Sequence, residues 1–163
     1  MKKFILVAVV SFCNTAVFSQ GKCGIKKAWA FYTVNVPGTQ MTDGKGNPVD
    51  VVPFTDHFIY IECKGTAKPN IEGVAYNNML LMPAVKMAEG RKVVVGKKQD
   101  GNTDITITAG KGNTLWKIEA QPPRDKPVVV QNAKNITINT RSGNDVCEYK
   151  VAKETELMGT PRY

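Results

Sequence analysis

Two seventeen-residue stretches constrain this chain more than any other feature. Residues 104–120 run DITITAGKGNTLWKIEA and residues 135–151 run NITINTRSGNDVCEYKV. At an offset of 31 residues they share Ile, Thr, Ile, Gly and Asn in the same places. Successive side chains of a β-strand point to opposite faces, so residues two apart share a face. In the first stretch Ile105 and Ile107 oppose Thr106 and Thr108, and Trp116, Ile118 and Ala120 oppose Lys117 and Glu119. In the second, Ile136 and Ile138 oppose Thr137 and Asn139, and Cys147, Tyr149 and Val151 oppose Glu148 and Lys150. One apolar and one polar face per strand is the signature of antiparallel sheets. Gly and Asn between the paired runs supply residues that tolerate tight turns. Each stretch is therefore expected to form a hairpin. The likeness has two explanations, a common set of hairpin rules or an internal duplication, and two copies are too few for a solenoid.

The same alternation recurs along the chain. AWAFYTVNV at 28–36 places Trp29, Phe31 and Thr33 on one face, and Ala28, Ala30, Tyr32, Val34 and Val36 on the other. HFIYIEC at 57–63 is the best central strand, with His57, Ile59, Ile61 and Cys63 sharing a face. Residues 42–50 form a turn-rich loop and residues 67–78 an irregular stretch. MLLMPAVKM at 79–87 carries Pro83, which argues against a central strand and a helix interior, so a bent edge strand is expected. Short strands are expected at 93–95 and 128–130, with QPPRDKP at 121–127 as an extended connector. After Val151 the chain becomes charged, and residues 159–163 are expected to fray. No amphipathic helix stands out. The fold class is all-β: a single antiparallel β-sandwich of about eight to nine strands, immunoglobulin-like in architecture with no topology implied. The Cys-Trp-Cys spacing of true immunoglobulin domains is missing.

The N-terminus predicts export. Lys2 and Lys3 precede the apolar run Phe4–Phe12, and Val17-Phe18-Ser19 fits a cleavage site. The run is too short to span a bilayer, which takes roughly 20 apolar residues. A signal peptide over 1–19 and one domain over 20–163 follow, with a periplasmic or secreted destination. The Lys-Lys start has a bacterial look, which gives the Asn135-Ile136-Thr137 glycosylation sequon little weight. Lipid anchoring at Cys13 is the lesser alternative, because Phe12 is not the small residue such a signal needs. Cleavage removes two of 22 basic residues and leaves 20 against 14 acidic ones, a net charge of +6. That balance favours anionic surfaces. Arg91, Lys92, Lys97 and Lys98 form a local basic cluster, either a patch or a solvated hairpin tip. Nucleic acid is a poor partner for an exported chain without aromatic-and-basic stacking motifs.

Three cysteines would survive cleavage into an oxidising compartment: Cys23, Cys63 and Cys147. One disulfide and one free thiol is the simplest count. Cys63 and Cys147 both lie on apolar strand faces, so that pair is favoured, leaving Cys23 free. A leftover cysteine marks either intermolecular pairing or an inert buried thiol.

Catalytic signatures are weak. His57 is the single histidine and Ser142 the single serine after residue 19. No CxxC or HxxxH spacing suggests zinc. Cys63 lies six residues along the strand from His57, about 20 Å away, too far for a nucleophile–base pair. Asp100, Asp104 and Glu119 offer a carboxylate cluster of the sort glycosidases use, and also ordinary turn charges. Residues 100–104 begin like a calcium loop, but Ile105 and Lys111 replace the required Gly and Glu, so a turn is expected. Trp29 and Trp116 fall on apolar faces and read as core.

The sequence thus predicts an exported, non-catalytic binding or structural module of the bacterial envelope or extracellular space, without cofactor or metal. Its expected partner is another protein, bound along an edge strand or loop face. A first alternative is a carbohydrate-binding domain that uses Tyr32, Phe58 or Tyr60. A second is a small hydrolase that uses Cys63, Cys147 or the hairpin acids.

Overall fold

The structure is a computed structural model that describes residues 24–35, 41–49, 54–121 and 133–159. The leader at 1–19, Cys13, Cys23, the connector after Gln121 and the 128–130 strand lie outside the described residues. Among the described residues there is no helix, and none is therefore long and apolar enough to cross a membrane.

Twelve strands are described: β1 (Ile25–Asn35), β2 (Met41–Thr42), β3 (Pro48–Val49), β4 (Phe54–Lys64), β5 (Ile71–Tyr76) and β6 (Met79–Met87) in the first half. β7 (Lys92–Lys97), β8 (Asp104–Thr108), β9 (Asn113–Gln121), β10 (Ile136–Ser142), β11 (Asp145–Val151) and β12 (Glu154–Leu157) follow. Eight form one curled sheet in the order β11-β10-β5-β6-β9-β4-β1-β12, in which β11 comes back against β1. β7 and β8 form a second, two-stranded sheet, and β2 and β3 a small hairpin. The all-β expectation is met, in a sandwich-like arrangement of a large and a small sheet.

The alternation read from the sequence sets the two faces. Ala30, Ile59, Ile61, Cys63, Val74, Tyr76, Leu81, Trp116, Ile118, Ile136, Ile138, Tyr149 and Val151 pack inside the curl. On the outer face Phe31, Tyr60, Leu115 and Leu157 are covered by Val93 and Val95 of β7 and Ile105 and Ile107 of β8. Phe58 and Tyr60 on one face of β4, and His57, Ile59 and Ile61 on the other, tie both cores to a single strand.

Four expectations fail in instructive ways. The first hairpin does not form. β10 and β11 pair as expected, from Ile136↔Val151 to Ser142↔Asp145, but β8 pairs with β7 and β9 pairs with β4 and β6. The turn between β8 and β9 is a corner that carries the chain from the small sheet to the large one. The Gly110 N–H donates to Glu62 Oε1 at 2.8 Å, Asn113 Nδ2 donates to the same oxygen, and the Gly65 N–H donates to the Gly112 carbonyl at 3.0 Å. Gly112 has φ +76°, which a residue without Cβ adopts freely. With both edges of β9 taken, β8 has no place beside it, so the two stretches share a pattern and not a structure.

The sheet is mixed rather than antiparallel. β12, in the tail read only as charged, pairs parallel with β1 from Ala30↔Glu154 to Thr33↔Leu157. Gly159 then passes so close to β1 that a Cβ on it would meet the Val34 carbonyl oxygen at 2.2 Å. β6 is an interior strand, although Pro83 argued for an edge. It pairs with β5 only through Met79–Leu81 and with β9 through Met82–Met87. Pro83 thus sits where β6 has already left β5, and among the described residues no strand flanks it on that side. β5 itself falls in the stretch read as irregular. Asn77 and Asn78, both at positive φ, make the tight turn from β5 into β6.

Candidate functional site

A cluster of buried polar side chains gathers at the His57 end of β4. Antiparallel pairing sets His57 opposite Tyr32 of β1 and Ala120 of β9, and Phe58 opposite Phe31 and Glu119. Side chains on the two faces of this strand therefore build two different environments back to back.

Inside the curl, His57 Nδ1 lies 2.8 Å from Glu154 Oε1, with side chains only 5% and 2% exposed. A carboxylate only accepts, so Nδ1 carries the proton and donates. Tyr76 stacks obliquely on the imidazole at 4.8 Å between ring centroids. Burial first, and then the charge of Glu154, hold the Tyr76 hydroxyl well above its ordinary range. That hydroxyl feels the charge but does not sit in good hydrogen-bonding geometry. Tyr76 OH, Glu154 Oε2 and His57 Nε2 all lack a partner among the described residues. Next to them Tyr32 donates to Glu156 Oε2 at 2.8 Å, and burial with that carboxylate pushes its hydroxyl up to about 12.

On the outer face, Thr33, Asp56, Phe58, Lys117, Glu119 and Gln121 line a cleft of about 380 Å³. Phe58 stacks on Phe31 at 5.8 Å, and Lys117 Nζ stands 4.9 Å from the Phe58 ring centroid. Glu119 accepts from Lys117 and Lys86 at 3.1 Å each. Lys117 chiefly, and then Lys86, hold its carboxyl below the usual carboxylate range. Asp56 accepts from Asn35 Nδ2 at 2.8 Å. A general acid needs a carboxyl kept protonated near neutrality. Glu119 is shifted the other way.

The remaining sequence candidates are dispersed. Cys63 is free and buried, so the expected Cys63–Cys147 bridge does not form. Cys147 is disulfide-bonded, and its partner lies outside the described residues. Burial chiefly, and the charge of Glu62 next, push the Cys63 thiol up to about 11, unsuited to a nucleophile. His57 and Cys63 lie on one unbroken strand and do not meet. Tyr32 and Tyr60 are buried, which leaves Phe58 as the partly exposed aromatic of the proposed sugar platform. Trp116 is core and Trp29 is half-buried. Arg91 and Lys92 stand at one end of β7 and Lys97 and Lys98 at the other, roughly 16 Å apart at strand rise, so the four do not gather in one patch; Lys97 and Lys98 lead into the solvated tip of the β7–β8 hairpin. Asp100 accepts from the backbone N–H groups of Asn102 and Thr103, a turn and not a calcium loop. No group of three or more metal-ligating side chains occurs among the described residues.

Glu154 and Glu62 were missed by sequence reasoning. The alternation of Glu154 with Glu156 after Val151 was the available signal for the first. For Glu62 there was none, since its partners Gly110 and Asn113 are far away in sequence.

Comparison with protein-family models, with curated proteins and with solved structures finds no match to this chain.

Proposed function

We propose that the protein is an exported, non-catalytic binding or structural module of the cell envelope or extracellular space, acting through contacts with another protein. The observation that carries this reading is a sheet face that no other described element covers. The β7–β8 sheet covers the outer face only over Phe31, Tyr60, Leu115 and Leu157. On β6 Leu80 and Met82 point outward with 56% and 63% exposure. Grouped exposed apolar side chains mark interaction surfaces. Two features support the absence of catalysis. The Cys63 thiol is buried with its thiolate disfavoured, and Glu119 is neutralised by two lysines. The basic, then apolar, N-terminus supports export.

Crosslinking in the native host, followed by mass spectrometry of adducts, tests the reading. A discrete protein adduct that disappears in Leu80→Glu/Met82→Glu is the expected result. An adduct unchanged by that double substitution would reject this face. A turnover lost with His57→Ala would reject the non-catalytic reading.

A second reading, glycan binding, is favoured by the cleft at Phe58. It combines one aromatic ring with hydrogen-bonding side chains from Thr33, Asp56, Lys117 and Gln121. Broadening or shifts of amide signals around Phe58 on titration with acidic or neutral glycans would support it over the first. The hydrolase reading has no observation in its favour.

A further inference from the structure

A different concavity carries its own chemistry and does not rest on the protein partner proposed above. A groove of about 470 Å³ runs along the seam where β11 returns toward β1, beside the small sheet. Its walls include Trp29 of β1, Ile105 and Ile107 of β8, and Val151 at the end of β11. Lys98 and Lys153 also line it, and its described lining residues include no carboxylate. The volume falls within the roughly 300–1,000 Å³ of small-molecule sites, which are mostly apolar with a few placed polar groups.

The charges are the informative part. Among the described residues neither lysine forms a salt bridge. Lys98 lies near Asp100, but that carboxylate is engaged in its own turn, accepting backbone N–H groups at 2.9 and 3.0 Å. An apolar trough flanked by two cations, with no anion in its walls, complements an apolar tail that ends in a negative group. A sugar would find few acceptors and donors here, and a cationic amphiphile would be repelled. The geometry points to a binding site for a free single-chain amphiphile with an anionic head, of the fatty-acid class. Its tail lies against Trp29, Ile105 and Ile107, and its head is held by Lys98 and Lys153.

Calorimetric titration of the exported protein with octanoate, decanoate and laurate, each below its micelle concentration, tests this. Saturable one-to-one binding is expected, tightening by about two- to fourfold per added methylene until the groove is filled. Trp29 emission shifts to the blue on binding. Lys98→Glu/Lys153→Glu weakens laurate by about tenfold or more. Ala152→Trp, at an exposed position lining the groove, abolishes binding by filling it. Both variants change exposed positions, and an unchanged urea midpoint confirms that the fold is kept. Several results would overturn the proposal: no saturable binding, equal affinity for dodecyltrimethylammonium, laurate affinity untouched by charge reversal, or binding to anionic vesicles without binding to monomeric laurate.

Discussion

Glu62 shows how much one side chain decides. It is 3% exposed, sits on the outer face of β4 and organises the corner between the two sheets. Burial alone would raise its carboxyl. Hydrogen bonds from Asn113 and the Gly110 N–H, with Lys27 and Arg91 nearby, outweigh that and lower it. A carboxyl depressed by folding stabilises the native state above its unfolded value, roughly 4.3, and that contribution is lost as pH falls through the folded value. Glu62→Gln is therefore expected to cost about 1.5–3 kcal/mol at pH 7, the worth of hydrogen bonds to a charged group. The gap from wild type narrows at pH 3. Urea unfolding at both pH values measures it, and an equal gap at both would refute the assignment. Cys63 shifts the opposite way. Its raised value adds stability below the unfolded thiol range and loses it as pH climbs toward about 11. The native thiol should resist alkylation at pH 8 and react only as the protein unfolds. Because Cys147 is disulfide-bonded, denatured but unreduced protein should take label at Cys63 and not at Cys147, which reacts only after reduction. Rapid labelling of Cys63 in the native protein, or labelling of Cys147 without reductant, would contradict this.

At the scale of elements, what the sequence made legible was local. The two-residue period placed β1, β4, β9, β10 and β11 and assigned their faces, because a strand's own residues determine which side is apolar. Pairing was less legible, because partners are chosen by the rest of the chain. DITIT and NTLWKIEAQ have the alternation of a hairpin. Glu62 lies 48 residues before Gly110, and no local pattern reveals the bond between them that turns the chain away from that pairing. β12 was missed for the converse reason. ETEL has one apolar residue, and its two glutamates face inward toward His57 and Tyr32. Its docking depends on Gly159, where an added Cβ would collide with backbone and not with a movable side chain. Gly159→Ala is expected to destabilise by about 1–3 kcal/mol, as overpacking does, with loss of amide protection in β12 before the rest of the sheet. Uniform protection across β1 and β12 in the variant would show that the close approach is unimportant. The site was half legible: Phe58 could be named from sequence, whereas the lysines that clamp Glu119 come from β6 and β9 and meet only once β6 lies beside β9.

The whole molecule is closed by a contact between residues 97 apart, His57 and Glu154. β12 is the last strand of the large sheet and β4 a central one, so this pair joins the chain's end to its middle inside the curl. Removing one member of a buried pair leaves the other without compensation, which typically costs about 3–5 kcal/mol. Replacing both by apolar residues of similar size removes the desolvation penalty as well and is often close to neutral. The orphaned His57 Nε2, Glu154 Oε2 and Tyr76 hydroxyl suggest that the pair is poorly rewarded where it stands. His57→Leu and Glu154→Leu should therefore each destabilise strongly, while the double substitution recovers most of the loss. A double-mutant cycle from urea midpoints measures the coupling. If the double variant is as unstable as the sum of the singles, the two side chains are independent, and the polar cluster owes its place to something other than closure of the sheet.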